Sequence, residues 1–546
     1  MMKPSCLFAA LLLACPCLAL AQKTPAGVHP IPSIAEKDGR FALMVDGSPY
    51  LMLGFQANNS SAWPATFDKV FPAAAILHAN TIELPVYWEQ FEATPGHYDY
   101  SNVDAMLVQA RAHHVRLVLL WFGTWKNGSS HYTPQWIKQD QQKYPFLVNK
   151  DGDTVDSPST FSPARLEADR HAFAALMRHL RTADPQRTVL MVQVENEAGV
   201  WHGIRDYRPE AEKEFAGQVP QKLVDALGKQ PGTWRQVFGD AADETFQAWC
   251  IATYIEQVAA AGKAEYALPL YTNAALRDPI NPGLPGSYES GAPTDQNVQF
   301  YKIAAPSLSV IAPDIYMPEY AKYMAVIDQY KRFKNPLLIP ETGNAPIYAH
   351  YVFAAIGQGA IGFAPFGLDL TAYSNLTEGA EAMGDKSAAG PETRLAPFAN
   401  EYALLEPIAS RLAQANLEGN LRGSSEDPNA HTQTLDFPRW QVDLSYGLPA
   451  FGNWIKPKGN NPPDGGAVIV ALGPDEFLVT GHHVRVDFTP KFDKAKKRFF
   501  LVVEEGNYDA SGKWQMKRLW NGDQTDYGLN LIANANYLLR VKLTTY

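Results

Sequence analysis

The chain has 546 residues and a formal net charge of -10 at pH 7, and 46% of its residues are hydrophobic. This length allows one large domain with one or two smaller ones, since a domain commonly holds about 150 residues. A protein that binds nucleic acid needs a basic face, and the longest basic run, KFDKAKKR at 491–498, is best interpreted as a solvated loop. The composition therefore argues against nucleic acid as a partner.

The first 21 residues have the features of a secretory signal peptide. Lys3 supplies the positive charge, CLFAALLLACPCLAL is too short to span a bilayer, and the cleavage motif ALA ends at position 21. We expect an exported protein, periplasmic or extracellular, with no membrane span; a lipid anchor at Cys15 is the alternative. Cys6 and Cys17 also lie in this segment, so cleavage leaves Cys250 alone and no intramolecular disulfide is expected.

Apolar runs alternate with helical segments along most of the chain. GRFALMVDGSPYLMLGFQANN contains two apolar runs joined by Asp46-Gly47, a hairpin signal. Eight short apolar runs follow in series, at 50–58, 80–88, 115–123, 188–196, 267–274, 308–317, 336–344 and 360–367. Continuous apolar strands that alternate with helices indicate a covered parallel sheet, and eight such units predict a closed (β/α)8 TIM barrel, an α/β fold. An open doubly wound sheet is the alternative, but its Gly-x-Gly-x-x-Gly signature is missing.

The segments between these runs carry helix signals. SNVDAMLVQARAHH begins with Ser101 and Asp104 in a capping-box pattern, and its apolar residues recur at helical spacing. Similar segments lie at 165–181, 244–262 and 320–333, and the last barrel helix is expected at 396–419. Beyond residue 423 short alternating runs are broken by turn residues, which is typical of an antiparallel β-sandwich. We thus expect a signal peptide at 1–21, a barrel with its N-terminal hairpin at 22–423 and a sandwich domain at 424–546.

Polar residues at the ends of the predicted strands are the candidates for chemistry, because these ends meet at one face of a barrel. The fourth run ends in Asn196 and Glu197, the sixth contains Asp314 and Tyr316, and the seventh contains Glu341. A pair of carboxyls can cleave a glycosidic bond: one protonates the leaving oxygen, and the other attacks the anomeric carbon. If the two lie roughly 5 Å apart, the reaction proceeds with retention of configuration.

The strings that carry these residues resemble the motifs of a known family. VQVENEAG and PLLIPETGN are similar to the acid/base and nucleophile motifs of family-35 glycoside hydrolases, β-galactosidases within a large superfamily of retaining (β/α)8 glycosidases. NTIELPVYWEQFEATPGHYDYSNVD resembles the family's second-strand signature, and FALMVDGSPYLMLGFQ resembles its opening hairpin. The resemblance covers about residues 39–369 and implies that Glu197 is the acid/base, Glu341 the nucleophile and Asn196 the partner of the sugar 2-hydroxyl.

The same resemblance implies a retaining, exo-acting β-galactosidase that hydrolyses terminal β-galactosides of oligo- or polysaccharides. The C-terminal sandwich resembles the accessory domain of a bacterial branch of the family whose members can act on plant cell-wall galactosides. A carbohydrate is therefore the expected partner.

Further residues near the strand ends are candidates to hold the sugar. After the third strand the family usually has a Cys-Ala-Glu-Trp-like string, whereas this chain reads LLWFGTWKNG. We therefore expect Glu89 to bind galactose, with Trp121 or Trp125 as a platform under the ring; core packing is the alternative for the tryptophans. Tyr316 is expected to donate a hydrogen bond that keeps Glu341 charged. The substrate-binding candidates are Asn196, Tyr316, Glu89, Trp88, Trp121, Trp125 and Asn58.

Strand alternation separates Glu195 from Glu197. Gln193 and Glu195 point into the barrel, where a charge must be paired, so we expect Glu195 to belong to a structural network. The same alternation turns Asn196 outward, so the strand must distort if Asn196 and Glu197 both face the site. The histidines show no metal-ligand spacing, and we expect neither a metal nor a cofactor.

Three alternatives remain open. One is another retaining β-glycosidase, such as a β-glucosidase or a family-5-like glucanase. Another is a metal-dependent barrel enzyme of enolase type, which is disfavoured because the fifth strand ends in Tyr271-Thr272-Asn273 rather than in a carboxylate. The last is a non-catalytic sugar-binding barrel. The sequence does not set the oligomeric state.

Overall fold

The computed structural model describes residues 29–371, 391–449, 455–493, 495–509, 511–531 and 535–546. The expected signal peptide, with Cys6, Cys15 and Cys17, lies outside the described residues. Within these ranges, no helix combines the length and the apolar character needed to cross a membrane.

A small antiparallel sheet precedes the barrel. Its strands are β1 (Ser33–Lys37), β2 (Arg40–Val45) and β3 (Ser48–Tyr50). β2 and β3 form the predicted hairpin, and Asp46 and Gly47 at its turn both have positive φ, 52° and 79°, as a tight two-residue turn requires. β1 has no counterpart in the sequence prediction, because SIAEK shows little apolar character.

Eight parallel strands in chain order close the barrel, as predicted. The strands of this part of the chain are β4 (Met52–Gln56), β5 (Thr81–Tyr87), β6 (Arg116–Lys126), β7 (Phe146–Val148), β8 (Thr154–Pro158), β9 (Val189–Asn196), β10 (Leu270–Ala275), β11 (Val310–Ile315), β12 (Ile339–Thr342) and β13 (Gly362–Pro365). β7 and β8 form a separate two-stranded sheet after β6, and pairing of β13 with β4 completes the ring. β4, β5, β9 and β12 are buried along their whole length, which accounts for the continuous apolar runs in the sequence.

Helices cover the outer face of the barrel. The described ones are Phe67–Leu77, Trp88–Phe91, Ser101–Ala112, Gln135–Lys138, Pro163–Ala183, Pro209–Phe215, Gln221–Leu227, Trp234–Phe238, Ala242–Glu265, Val298–Ala304, Tyr320–Tyr330, Tyr351–Gly357, Pro391–Leu405 and Ala409–Glu418. The single helix predicted at 396–419 is divided in two, with Pro407 in a short 3₁₀ turn between the parts. Proline has no amide hydrogen to donate within a helix, which explains the break.

The capping box predicted at Ser101 was wrong. Ser101 is the first helical residue, and its amide donates to the carboxylate of Asp99 at 2.9 Å. Asp104, the other half of the expected box, instead contacts the His179 ring at 2.6 Å. The aspartate that satisfies this helix start therefore lies before the serine, not after it.

Two antiparallel sheets make up the C-terminal region, as the predicted sandwich requires. One has six strands and the other four. The strands are β14 (Leu421–Ser425), β15 (Thr432–Asp436), β16 (Trp440–Ser445), β17 (Gly466–Gly473), β18 (Glu476–His482), β19 (Val484–Pro490), β20 (Arg498–Tyr508), β21 (Trp514–Leu519), β22 (Leu529–Leu531) and β23 (Leu539–Thr545). Side chains from both sheets, among them Trp440, Val479 and Val486, form one apolar core.

The barrel and the C-terminal sheets are packed directly against each other. β14 begins before the predicted boundary at residue 424 and lies against the helix Tyr351–Gly357. A Cβ atom on Gly357 would stand 2.2 Å from the backbone nitrogen of Gly423, so the two backbones meet where neither residue has a side chain. The Ser425 hydroxyl also donates to the His350 carbonyl at 2.5 Å. The junction is thus a packed interface and not a linker.

Candidate active site

The carboxyl end of β9 departs from regular strand geometry. Glu195 and Glu197 both adopt left-handed backbone conformations, with φ of 61° and 46°, which are uncommon for residues that carry a Cβ atom. The register between β6 and β9 shifts at the same place: Trp121 pairs with Val194 and Lys126 with Asn196. Residues 122–125 of β6 therefore lie opposite Glu195 alone. This is the distortion that the sequence reasoning required at the end of the strand.

Three carboxyls from different strands meet at this end of the barrel. Glu197, Asp314 and Glu341 each place a carboxylate oxygen within 4.8 Å of the others. Asp314 and Glu341 are direct neighbours in the pairing of β11 with β12, and all three residues are buried. The structure thus brings together the two glutamates that the sequence predicted to act as a pair, and it adds Asp314 beside them.

The surroundings of Glu197 favour its protonated form. Burial raises the pKa of Glu197 to about 7; the Lys126 ammonium opposes this shift, and the Glu341 carboxylate adds to it. The backbone amide of Glu197 donates to Asn273 Oδ1 at 2.9 Å, and Asn273 Nδ2 donates to Asp314 Oδ2 at 2.6 Å. A carboxyl that titrates near neutral pH in a fixed position is suited to general acid and base catalysis.

Glu341 is held by a tyrosine, as the sequence reasoning expected. The Tyr316 hydroxyl donates to Glu341 Oε1, and the Tyr316 carbonyl accepts a 2.6 Å hydrogen bond from the Tyr348 hydroxyl. The second carboxylate oxygen, Oε2, has no hydrogen-bonding partner in the part of the chain that the structure describes. One oxygen of Glu341 is therefore fixed, and the other remains available to react.

Asn196 is fully buried, yet its side chain is unpaired. Neither Oδ1 nor Nδ2 has a hydrogen-bonding partner among the described residues. Buried amides are almost always hydrogen bonded, because an unmet group costs about 1–3 kcal/mol. An amide left unpaired beside Glu197 is therefore suited to hold a ligand hydroxyl.

Glu195 lies in a buried network, as expected. Its carboxyl accepts the Trp125 amide hydrogen at 2.7 Å. Burial, and then the neighbouring Asp169, raise the pKa of Glu195 well above its usual range. Asp169 itself accepts hydrogen bonds from Trp121 Nε1 at 2.8 Å and from the Thr124 hydroxyl at 2.6 Å. This network connects the bulged part of β6 to β9 beneath the three carboxyls.

The tryptophans proposed as sugar platforms lie in the core. Trp88, Trp121 and Trp125 are at most 1% exposed. Trp88 Nε1 donates to Glu92 at 2.8 Å, and Trp125 packs edge-on against Tyr254 with ring centroids 4.8 Å apart. None of the three offers an exposed ring face, which favours core packing, the alternative given for them, over stacking on a sugar.

Glu89 is paired away from the three carboxyls, whereas the Asn58 side chain is only partly paired. Glu89 is half-exposed and forms a 2.8 Å ion pair with Lys138, so it does not join the three carboxyls as the galactose ligand expected from sequence. Asn58 is buried, and its backbone amide donates to Asp369 Oδ2 at 2.7 Å. It ties the loop after β4 to the loop after β13. Asn58 Nδ2 donates to the Thr371 hydroxyl at 3.4 Å, and Asn58 Oδ1 has no partner among the described residues.

Two residues near the carboxyls were missed by the sequence reasoning. Lys126 is buried at the end of β6, three residues beyond the predicted run, which stopped at 123. Glu289 is also buried, and burial followed by the charge of Glu197 raises the pKa of Glu289 well above its usual range. Glu289 lies beyond the end of β10, where no sequence periodicity signals its position.

The three-carboxyl cluster has the spacing of a possible cation site. Oxygens within 4.8 Å of one another can share one ion, and carboxylate oxygens are ligands that Mg²⁺ and Ca²⁺ prefer. Asp314 Oδ1 and Glu341 Oε2 have no partner in the described chain. A divalent ion would therefore compete for the same oxygen of Glu341 that could act as a nucleophile.

Comparison with known proteins yields one family and distant structures. A family model described as a domain of unknown function, DUF5597, matches residues 398–532. The search of curated proteins finds no match. Among solved structures, the β-galactosidase from Bacillus circulans sp. alkalophilus is similar at 14% identity and a TM-score of 0.47, over 67% of this chain and 57% of that chain.

Two further β-galactosidases are similar to a comparable degree. The one from Rahnella sp. R3 has 14% identity and a TM-score of 0.46, over 68% of this chain and 61% of that one. The one from the psychrophilic Marinomonas ef1 has 11% identity and a TM-score of 0.48, over 67% and 62%. This chain thus spans less than two thirds of each of those proteins. Similarities at this distance do not assign an activity, which has to be inferred from the site.

Proposed function

We propose that the protein is a glycoside hydrolase that cleaves β-glycosides by retaining double displacement. The observation that carries this proposal is the spacing of the two glutamates, whose carboxylate oxygens approach within 4.8 Å. Retaining enzymes place their carboxyls roughly 5–5.5 Å apart, whereas inverting enzymes leave roughly 6.5–9.5 Å for a water molecule.

In the first step, Glu197 is the acid and Glu341 is the nucleophile. A pKa of about 7 lets Glu197 hold a proton at neutral pH and donate it to the glycosidic oxygen. Glu341 Oε2 forms a bond to the anomeric carbon as the bond to the leaving oxygen breaks, while the Tyr316 hydroxyl stabilises the other oxygen of Glu341. The result is a glycosyl-enzyme intermediate and a protonated leaving group.

In the second step, the roles of the carboxyls reverse. The Glu197 carboxylate takes a proton from water as the water oxygen attacks the anomeric carbon, and the bond to Glu341 breaks. The unpaired Asn196 amide is placed to bind the sugar 2-hydroxyl, a contact that strengthens in the oxocarbenium-like transition state.

For the substrate, we propose terminal β-galactosides of oligo- or polysaccharides, cleaved from the end of the chain. Support comes from the resemblance of the strand-two, strand-four and strand-seven strings to the motifs of family-35 glycoside hydrolases. A β-glucosidase, a family-5-like glucanase and a non-catalytic sugar-binding barrel are the alternatives. Export rests on the N-terminal sequence, and Edman sequencing of the mature protein, expected to begin at Gln22, tests it.

A panel of aryl β-glycosides tests both the reaction and the substrate. We expect release of p-nitrophenol from the β-galactoside above all others, and its near-complete loss in Glu341→Ala. Glu197→Ala should still release 2,4-dinitrophenol, because so acidic a leaving group needs no proton, and should then stall as the glycosyl-enzyme. Azide should rescue Glu197→Ala with a β-glycosyl azide product and Glu341→Ala with an α-glycosyl azide.

Three results would contradict the proposal. Activity that survives both alanine substitutions would rule out the proposed mechanism. Activity on the β-glucoside but not on the β-galactoside would rule out the substrate assignment. An NMR spectrum that shows the first-formed sugar as the inverted anomer would exclude double displacement.

The carboxyl cluster favours one further candidate, a metal-dependent barrel enzyme. Its test is removal of divalent ions: a glycosidase of the proposed type keeps its activity in EDTA. Loss of activity in EDTA, with recovery on adding Mg²⁺ or Mn²⁺, would support the metal-dependent alternative instead.

A further inference from the structure

An exposed tryptophan stands close to the proposed acid/base. Trp201 follows Glu197 by four residues and is 38% exposed, in contrast to the buried tryptophans at the strand ends. Four residues span at most about 14 Å even when fully extended. The Cα atom of Trp201 therefore lies within about 14 Å of the Cα atom of Glu197, the residue proposed to protonate the leaving group.

The segment that carries Trp201 is fixed on both sides. The Gly128 amide donates to the Glu197 carbonyl at 2.9 Å. Val200 and Ser290 exchange two backbone hydrogen bonds of 3.0 Å each, which tie this segment to the loop after β10. An aromatic ring on a segment held in this way loses little entropy when a ligand stacks on it.

Two glycines make room for the ring and for the carboxyl beside it. A Cβ atom on Gly128 would stand 2.8 Å from Trp201 Cδ1 and 3.1 Å from Glu289 Oε1. A Cβ atom on Gly199 would stand 2.7 Å from the Glu289 Cβ atom. Burial raises the pKa of Glu289 most and the charge of Glu197 adds to the rise, whereas Trp201 and Lys126 lower it, which indicates that the indole lies near this carboxyl. The Trp201 ring therefore lies beside Gly128 and close to Glu289.

We propose that Trp201 is the platform of the leaving-group subsite and that the group it receives is a pyranose ring rather than a small alkyl group. This inference rests on the proposed function. The acid/base faces the oxygen of the leaving group, so residues on its side of the cleft contact that group. An exposed indole face matches the apolar face of a pyranose, as in other aromatic contacts with flat partners.

The test compares two substrates that differ only in the leaving group. One is a β-linked disaccharide, and the other is the glycosyl fluoride of the same sugar, which leaves the subsite empty; the sugar is the one that the aryl-glycoside panel identifies. In Trp201→Ala, the ratio of kcat/KM for the disaccharide to kcat/KM for the fluoride should fall roughly tenfold, equivalent to about 1.4 kcal/mol. Trp201→Phe should recover most of the ratio.

Two further variants separate the subsite from general effects. Phe499→Ala removes an exposed aromatic ring from the C-terminal region and should leave the ratio unchanged. Gly128→Ala pushes against the indole and should lower the ratio in the same direction as Trp201→Ala. Because Gly128 has a φ of 71° and donates to the Glu197 carbonyl, this variant should also lower kcat/KM on both substrates, which Trp201→Ala should not do to the fluoride.

The affinity for the disaccharide tests the role of Trp201 without depending on catalytic turnover. In Glu341→Gln, which cannot form the intermediate, the disaccharide should bind roughly tenfold more weakly once Trp201 is also changed to alanine. An unchanged ratio, or an equal loss on both substrates, would overturn the subsite while leaving the proposed function intact. A wild-type protein that cleaves neither substrate would overturn the proposed function, and the Glu341→Gln titration would then decide the subsite alone.

Discussion

At the scale of single residues, the proposed chemistry depends on one proton held by Glu197. Burial raises the pKa of this carboxyl to about 7, and the Lys126 ammonium limits the rise. The acid form is needed for the first step, so kcat/KM should fall as the pH rises through the pKa of Glu197.

Changing Lys126→Met should move this fall to higher pH. The substitution removes the cation that lowers the pKa of Glu197, so the protonated form persists further into the alkaline range. The measurement is the pH profile of kcat/KM on an aryl glycoside, with Lys126→Arg as the charge-conserving control. An alkaline limb that stays in place or moves to lower pH would show that Glu197 does not set it.

Changing Tyr316→Phe should lower kcat/KM by roughly 10- to 100-fold without unfolding the protein. The phenylalanine cannot donate the hydrogen bond to Glu341, and hydrogen bonds to charged groups contribute about 1.5–3 kcal/mol. Tyr348→Phe is the matched control, since among the described residues that hydroxyl hydrogen-bonds only to the backbone carbonyl of Tyr316. An equal loss in both variants would attribute the effect to the loop and not to the contact with Glu341.

The sequence was sufficient to find Glu197, Glu341 and Tyr316, because each lies at or next to the end of an apolar run. The sequence was insufficient to predict that Glu289 lies near the three carboxyls and that Glu89 pairs with Lys138 instead. Whether a polar residue just beyond a strand turns to the site or to a surface lysine depends on loop geometry, which periodicity does not contain. Core packing and sugar stacking could not be separated for the aromatic candidates for a related reason: a tryptophan at a strand end and one on an exposed segment look alike in sequence.

At the scale of elements, the active end of the barrel is built on the irregular pairing of β6 with β9. The bulge at residues 122–125 is opposed by Glu195 alone and is stabilised by the hydrogen bonds of Glu195 and Asp169. Bulges of this kind redirect the side chains at a strand end. Here the bulge lies opposite the strand end at which Glu195 and Glu197 adopt left-handed backbone conformations.

Changing Gly123→Ala should destabilise the protein by about 1–3 kcal/mol or more. The added methyl group would stand 2.3 Å from Trp121 Nε1 and 2.9 Å from Glu195 Oε1, inside a network that cannot relax into solvent. Denaturant unfolding measures the change, and Gly473→Ala, whose methyl group would meet nothing closer than 3.9 Å, is the control. Equal stability of the two variants would mean that the bulge is more pliable than its contacts indicate.

All eight barrel strands could be predicted, because strands buried on both faces produce continuous apolar runs of recognisable length. The bulge could not be located, since it arises from the pairing of β6 with β9 and leaves no local signal. The helix start at Ser101 shows a smaller failure of the same kind. Its sequence offers two aspartates at suitable distances, and only the fold decides that Asp99 accepts the hydrogen bond.

At the scale of the whole molecule, the barrel buries several acids whose pKa values are raised by that burial. Burial raises the pKa values of Glu83, Glu195, Glu289 and Asp314 well above the usual range for carboxyls. The folded state therefore binds protons at these carboxyls more tightly than the unfolded state does. The stability that these raised pKa values contribute is fully present below the pKa of a carboxyl in the unfolded chain, about 4.3. It is lost as the pH rises toward the pKa values of the folded state.

Glu195→Gln should make the unfolding free energy less dependent on pH. Glutamine is neutral in both the folded and the unfolded state. In the wild type, the free energy of unfolding falls as the pH rises above about 4.3, by at most about 1.4 kcal/mol per pH unit for one group, and the variant lacks this loss. Unfolding in urea measures this at pH 5 and pH 8. The free energy of unfolding of the variant, relative to that of the wild type, should be higher at pH 8 than at pH 5. If the free energies of unfolding of the variant and the wild type differ by the same amount at both pH values, Glu195 ionises in the folded protein.

The meeting of Gly357 with Gly423 also bears on how such a protein can be recombined. A module joined by a tether can be exchanged by cutting the tether, but here the helix that follows the proposed nucleophile strand is pressed into the first strand of the next sheet. Any chimaera that keeps this barrel must carry both glycines and the strand between 421 and 425 with it. A chimaera cut at the apparent domain boundary near residue 424 would therefore separate two halves of one packed surface.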